Sequence, residues 1–142
     1  MNEPRDIMEL LLRHEGERLK PYRCSAGKLT IGVGHNLDDN GIPKHISDAL
    51  LMHDLAECLR ELRANFPWFE KLNDARRAAV TDMVFNMGLP AFKKFKNTIR
   101  FIEADEFENA SMEMLDSKWA REDVSPDRSG RLSIMMRTGE WP

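Results

Sequence analysis

The spacing of apolar side chains changes from that of a helix to that of a strand near the N-terminus, and then changes back. Apolar residues at positions 7, 8, 11 and 12 keep helical spacing before Gly16. Leu29, Ile31 and Val33 then alternate with small or polar residues, as in a strand with one buried face. From about residue 46 helical spacing returns and continues to the end. This order predicts an α+β fold in which helices predominate.

The N-terminal elements have identifiable start and stop residues. The first helix is predicted to begin at Asn2 or Glu3, with Pro4 in its first turn, and to bury its apolar stripe. A turn at 24–28 is predicted to join the strands of a hairpin or small meander. A polar loop is predicted to follow at 36–43.

Capping residues divide the helical part of the chain. Ser47 is predicted to cap a long helix over 46–63. Asp74 is predicted to cap the next helix, and Asp105 to cap a later one that reaches Trp119. These helices supply most of the apolar positions available for a core.

Composition excludes several classes of protein. A chain of 142 residues fits one compact unit, or two small lobes that share a core, but not two independent enzymes. Its net charge of -3 disfavours nucleic acid as a partner. No apolar run reaches the roughly 18–20 residues that cross a bilayer, and the polar N-terminus lacks the pattern of a secretion signal. Cys24 and Cys58 fit a reducing compartment, and no Cys/His spacing indicates a metal site. We therefore expect synthesis in a cytoplasm, without stable membrane insertion.

Three residues near the N-terminus could carry chemistry, and each also has an ordinary structural explanation. Glu15 ends the first helix, so its carboxyl group can be a general acid or a solvated helix-end side chain. Cys24 lies in a polar turn, where a thiol can be a nucleophile, a base or a small apolar group. Thr30 faces away from the apolar side chains of its strand, so its hydroxyl can hold a water or simply suit the strand. These residues allow a hydrolase cleft and leave the alternatives open.

Other conspicuous residues favour structural roles. The Gly32-x-Gly34 pattern is followed by a loop rather than a helix, so it fails the context of a dinucleotide site. His35 is interpreted as a hydrogen-bonded supporting residue rather than a ligand. Arg128 and Arg131 are interpreted as a solvated helix surface in preference to a binding site.

A set of motifs occurs in one order along nearly the whole chain. The first runs through Glu15-Gly16, Leu19-x-x-Tyr22, Cys24 and Thr30-Ile31-Gly32-x-Gly34-His35. Later motifs lie at 74–79, 83–88, 95–100, 117–119 and 137–141. Together they strongly resemble the phage-type lysozymes of glycoside hydrolase family 24, and several motifs in one order are far more specific than any one of them.

The resemblance implies three catalytic residues. Glu15 would be the general acid that protonates the glycosidic oxygen, and Thr30 would help to position the attacking water. Cys24 occupies the position where the family usually has an aspartate. Its thiolate could deprotonate water, stabilise the oxocarbenium-like state or attack the anomeric carbon, so the stereochemical outcome stays open.

The resemblance also implies substrate-binding and supporting residues. Phe85 and Thr98 match positions that line the sugar cleft. Asn36 and Glu113 match cleft positions where the family usually has a leucine and an asparagine. Arg128 matches the arginine that pairs with the catalytic glutamate from the helical lobe.

The implied architecture is a single lysozyme-like domain over 1–142. Its predicted parts are a small β lobe with the active-site edge (15–45), a connecting helix (46–63) and a helical lobe (64–142 together with 1–14). The loop after His35 is short, so the small lobe is predicted to be reduced and the cleft to be more open on that side.

The function implied by the resemblance is that of an endolysin. It would hydrolyse the β-1,4 bond between N-acetylmuramic acid and N-acetylglucosamine in bacterial peptidoglycan, and so lyse the host cell. We expect a monomer without a cofactor, held in the host cytoplasm until a separate holin gives it access to the wall. Two alternatives remain: a lytic transglycosylase that uses Glu15 alone, and a catalytically inactive peptidoglycan-binding relative.

Overall fold

The computed structural model describes residues 5–142 of the chain. It divides between Ala49 and Leu50 into two compact units. The first unit contains a small antiparallel sheet, and the second is helical. Residues 5–14 belong to the same unit as the sheet. The division into lobes made from the sequence stays a prediction.

The first helix, α1, spans Ile7–Glu15. Asp6 caps it, because the Glu9 backbone N–H donates to Asp6 Oδ1 over 2.9 Å. Gly16 ends it with a φ of 69°, a conformation that suits glycine. The start predicted at residues 2–4 lies outside the described residues.

The apolar stripe of α1 is exposed, so the prediction that it is buried is wrong. Ile7 and Met8 keep 64% and 71% of their surface, and no residue of the helix is buried. Helical spacing identifies which face of a helix is apolar, but it does not identify what covers that face.

Three strands form the sheet in the order β1-β2-β3, with antiparallel neighbours. They span Arg18–Arg23, Leu29–Gly32 and His35–Asn36. The predicted meander is confirmed, but its predicted buried face is not. Thr30 is the buried residue of β2, while Val33 is exposed beyond the strand, because the chain turns at Gly32 and Gly34 with φ of 68° and 66°.

The segment predicted as a polar loop contains a short helix, α2, at Leu37–Asn40. Asn36 caps it by accepting the Asp39 backbone N–H over 3.0 Å. Asn36 followed by two acidic residues is a helix start signal, and it explains why this polar stretch is not a loop.

A long helix, α3, spans Lys44–Asn65 and exceeds the predicted 46–63 by two residues at each end. The cap predicted at Ser47 is wrong. The backbone N–H groups of Ile46 and Ser47 both donate to the Pro43 carbonyl, which places the helix start earlier. Of its residues only Leu62 is fully buried.

The second unit is built from short helices. After a single 3-10 turn at Phe69–Lys71, the helices are α4 (Asp74–Met87), α5 (Leu89–Phe92), α6 (Lys96–Glu103), α7 (Phe107–Leu115) and α8 (Pro126–Thr138). A single π turn at Trp119–Asp123 lies between α7 and α8.

Two predicted caps in this unit are wrong. Asn73, rather than Asp74, caps α4, because Asn73 Oδ1 accepts the Arg76 backbone N–H over 3.0 Å. Asp105 has a φ of 59° and lies before the start of α7. The helix then ends at Leu115, so Trp119 belongs to the separate π turn.

The core described by the structure lies in this second unit. Its largest fully buried side chains are Phe69, Phe92, Leu62, Met83, Ile102, Met114 and Met136. Phe66, Phe92, Phe95 and Trp119 form a chain of ring contacts at 5.7–6.5 Å between centroids. Within residues 5–142, no helix is both long and apolar enough to cross a membrane.

Candidate functional site

The carboxyl group of Glu15 lies against the turn between β2 and β3. Glu15 is the exposed last residue of α1. A Cβ atom at Gly34 would lie 2.9 Å from Glu15 Oε2 and 3.2 Å from its Cδ. The Glu15 carboxyl group therefore fits only because residue 34 has no side chain. An exposed acid at this position can exchange protons with a ligand or with water.

Cys24 begins the turn between β1 and β2. Its backbone N–H donates to the Lys28 carbonyl over 2.9 Å, and its own carbonyl accepts the Gly27 N–H over 2.8 Å. The thiol is free and half-buried. Backbone hydrogen bonds, first from Lys28 and then from Ala26, lower the pKa of Cys24 below that of an ordinary thiol. The turn thus favours the thiolate, which is the reactive form of cysteine.

Thr30 and Cys24 both donate a hydrogen bond to one carbonyl oxygen. The Thr30 hydroxyl donates to the Lys28 carbonyl over 2.8 Å, the same oxygen that accepts the Cys24 N–H. Thr30 is only 3% exposed. The structure therefore brings Thr30 and Cys24 together, and it gives the hydroxyl a partner within the protein.

His35 and Asn36 both support α2. His35 Nε2 donates to the Gly41 carbonyl over 2.5 Å, at the end of that helix. The Asn36 side chain caps its start and also donates to Asp39 Oδ2 over 2.9 Å. His35 thus has the hydrogen-bonded position expected of a supporting residue, while a substrate contact by Asn36 stays a prediction.

In the second unit, Phe85 and Arg128 line one pocket of about 560 Å³. Phe85 is 43% exposed, although helical spacing alone would place it in the core. Arg128 donates through Nε and Nη2 to Asp82 Oδ1, over 2.9 and 2.6 Å. Asp82 is a partner that sequence reasoning missed, and the predicted pairing of Arg128 with Glu15 stays a prediction.

Thr98 and Glu113 line a second, smaller pocket of about 240 Å³ in the same unit. Thr98 is 2% exposed and Glu113 is half-buried. Lys94 and Asp116 add opposite charges to the pocket wall. The structure thus brings these two predicted residues together, and separates them from the pocket that holds Phe85.

Two acidic residues beside Cys24 were also missed. Asp38 and Asp39 of α2 contact Arg23 and Lys28, which flank the Cys24 turn. A helix start at Asn36 could have placed Asp38 and Asp39 in the first turn of a helix, but it would not have indicated their contacts with Arg23 and Lys28. Among the described residues, no group of three or more His, Cys, Asp or Glu side chains could hold a metal ion.

Comparisons with known proteins agree with the fold. Residues 12–131 match the profile of the family described as phage lysozyme. The chain is 27% identical to probable T4-type lysozyme 1 of Dictyostelium discoideum, with 94% of each chain covered. It is 31% identical to an endolysin of Acyrthosiphon pisum secondary endosymbiont phage 1, over 90% of this chain and 86% of that one. It is also 34% identical to an endolysin of Salmonella phage P22, over 58% of this chain and 60% of that one.

Proposed function

Because this chain belongs to the phage lysozyme family, we propose that it is an endolysin that cleaves the glycan strands of bacterial peptidoglycan. The family supports a peptidoglycan-hydrolysing glycosidase. The finer proposal is that the β-1,4 bond between N-acetylmuramic acid and N-acetylglucosamine is cut, and that this cleavage lyses a phage host.

The proposed reaction uses Glu15 and Cys24 as a pair. Glu15 donates its proton to the glycosidic oxygen while the bond from that oxygen to the anomeric carbon breaks. A water attacks the anomeric carbon from the other face, and its proton passes to the Cys24 thiolate. The resulting thiol and the Glu15 carboxylate then return to their starting forms by exchanging protons with solvent.

The observation that carries this proposal is the shared Lys28 carbonyl between Cys24 and Thr30. It binds the Cys24 backbone N–H and the Thr30 hydroxyl at one oxygen, and backbone hydrogen bonds from Lys28 and Ala26 favour the Cys24 thiolate. In this proposal Thr30 orients Cys24 and the attacking water together. The exposed carboxyl group of Glu15 supplies the acid.

Product analysis tests the proposal directly. Purified peptidoglycan digested by the protein should give reducing N-acetylmuramic acid ends, identified by mass spectrometry. Glu15→Gln should abolish product, and Cys24→Ser should lower its rate strongly. Glu9→Gln on the same helix and Cys58→Ser on α3 are the matched controls, and both should retain parental rates. Full activity of Glu15→Gln would overturn the proposal.

A lytic transglycosylase is the second candidate, and the residue at position 24 favours it. A thiol replaces the carboxylate that usually assists the water, and transglycosylase chemistry can run on one glutamate. Anhydro-muramic ends in place of reducing ends would identify this activity. Binding of peptidoglycan without any product would instead identify an inactive wall-binding relative.

The proposed biological setting follows from the endolysin role. The protein would accumulate in the host cytoplasm as a monomer, and a separate holin would give it access to the wall. The Phe85 pocket and the Thr98–Glu113 pocket would contact the glycan strand. Expression with and without a membrane-permeabilising partner, followed by culture turbidity, tests the dependence on a holin.

A further inference from the structure

The last residue pair of the β1–β2 hairpin is bound by one carboxylate oxygen from α2. Arg23 and Leu29 are register partners immediately before the Cys24 turn. Asp38 Oδ2 accepts the Leu29 backbone N–H over 2.7 Å and Arg23 Nη1 over 3.2 Å. A single side chain of α2 thus ties the two strands together where the turn begins and ends.

Two further contacts reach into the turn itself. Arg23 Nη1 also donates to the Gly27 carbonyl over 3.2 Å. Asp39 follows Asp38 on α2, and its Oδ1 lies 3.0 Å from Lys28 Nζ. Lys28 in turn supplies the carbonyl that binds both the Cys24 N–H and the Thr30 hydroxyl. The geometry of the thiol therefore depends on residues that α2 holds.

The short helix α2 is itself anchored at both ends to the sheet. Asn36, the register partner of Thr30, caps its start. His35, the register partner of Ile31, donates to the Gly41 carbonyl at its end. Since both anchors belong to β3, α2 cannot shift without disturbing the strand that pairs with β2.

We propose that Asp38 and Asp39 are positioning residues that hold the Cys24 turn in the conformation needed for catalysis. This inference rests on the proposed catalytic role of Cys24. Exposed ion pairs contribute little individually, and the Arg23–Asp38 and Lys28–Asp39 pairs are both well exposed. The Leu29–Asp38 bond is different, because a charged carboxylate accepts a backbone N–H at the hairpin end. We therefore expect Asp38 to contribute more than Asp39 to holding the turn.

Positioning and simple electrostatics predict opposite signs for the thiol. The charged groups around the turn are Arg23, Lys28, Asp38 and Asp39. Removing an aspartate takes away a negative charge, which by electrostatics alone would favour the thiolate and lower the pKa of Cys24. Loosening the turn instead weakens the hydrogen bonds from Lys28 and Ala26, which raises the pKa towards the ordinary thiol value of about 8.5. The direction in which the pKa of Cys24 changes therefore distinguishes a positioning effect from a purely electrostatic one.

The experiment measures alkylation of Cys24 by iodoacetamide as a function of pH, with the modified peptide quantified by mass spectrometry. Asp38→Ala should move the alkylation midpoint to higher pH and lower kcat by roughly tenfold, because small displacements of a catalytic group are costly. The KM should change by less than about twofold, because the variant leaves the sugar-binding groups in place. Asp38→Asn keeps an oxygen that can accept the Leu29 N–H, so it should recover part of both losses.

Asp48→Asn is the matched control. Asp48 forms an exposed i,i+4 ion pair with Lys44 within α3, so its variant should leave both readouts unchanged. Circular dichroism establishes that each variant is folded, and Asp39→Asn provides a second, milder test should Asp38→Ala fail to fold.

Two outcomes are decisive in opposite directions. An alkylation midpoint that stays constant or falls in Asp38→Ala and Asp39→Asn overturns the positioning role. A midpoint that rises supports it, even where kcat is unchanged, and in that case the catalytic role of Cys24 is the part that fails. The thiol readout thus separates this inference from the proposed function on which it rests.

Discussion

Glu15 and Gly34 occupy adjoining space, so that a single methyl group at residue 34 would displace the carboxyl group. The distance from that methyl carbon to Glu15 Oε2 would be 2.9 Å, below normal van der Waals contact. Gly34 also has a φ of 66°, which L side chains rarely adopt. The end of α1 and the turn after β2 are therefore adjusted to each other around the proposed catalytic acid.

The first prediction is that Gly34→Ala abolishes lysis while the protein remains folded. The new methyl group should push Glu15 away, and the backbone should lose roughly 1–2 kcal/mol of stability. Gly32→Ala is the matched control, because Gly32 has a φ of 68° but a Cβ there meets nothing within 4 Å. Urea unfolding should show similar losses of stability in both variants. Turbidity assays should show loss of lysis only in Gly34→Ala. Equal lysis by the two variants would contradict the prediction.

Helical periodicity predicts where α1 and α3 lie, but it predicts neither the exposure of the apolar face of α1 nor the residues at which the helices begin. Ala79, Val80, Met83 and Val84 of α4 are buried at helical spacing. The cap predicted at Ser47 failed because the helix start depends on the Pro43 carbonyl, a backbone interaction with no side-chain signature. Periodicity averages over many residues, whereas an end is decided by one or two hydrogen bonds.

The candidate site shows the same limit. Motif spacing pointed to Glu15, Cys24 and Thr30, and the last two share a carbonyl oxygen. The contacts of Asp38 and the pairing of Asp82 with Arg128 could not be predicted, because they join residues 15 and 46 positions apart. Such contacts follow from how elements pack, and composition or local pattern carries little information about them.

A second prediction concerns the C-terminal end of α8. Arg76 donates through Nε to the Met136 carbonyl over 2.8 Å and through Nη2 to the Arg137 carbonyl over 3.0 Å, and its guanidinium lies 3.7 Å from the Phe107 ring centroid. Arg76→Ala should therefore cost about 2 kcal/mol of unfolding free energy, measured with urea. Arg60→Ala, which removes only an exposed ion pair with Glu57, should change it by less than about 0.5 kcal/mol.

A third prediction addresses the Arg128–Asp82 pair. Both side chains are a little over one-third exposed, so solvent should limit their coupling to about 1 kcal/mol or less. A double-mutant cycle on unfolding free energy, with Arg128→Ala, Asp82→Ala and the double variant, measures that coupling. If Arg128 also assists Glu15, as the family resemblance implies, Arg128→Ala should lower lysis more than Asp82→Ala does. Equal losses of lysis would count against a role for Arg128 beyond the pair.

The last prediction uses pH to test the thiol at position 24. The pKa of Cys24 is lowered, so the thiolate is present above that pKa and is lost as the pH falls through it. If the thiolate is the base, activity should decline on the acid side across this range, which lies below the ordinary thiol value of about 8.5. Cys24→Asp should move the acid limb of kcat/KM well below that of the parent, because a carboxyl group ordinarily titrates near pH 4.

Measuring kcat/KM on soluble glycan fragments from pH 4 to pH 9, as a rough working range that spans both titrations, separates these limbs. Cys58→Asp is not a suitable control, because Cys58 packs against the core and burial raises its pKa. Cys24→Ser is the proper reference, since it retains the size of the side chain but has no group that ionises in this range. An acid limb that is identical in the parent and Cys24→Asp would mean that another group sets it, and that the thiol does not act as the base.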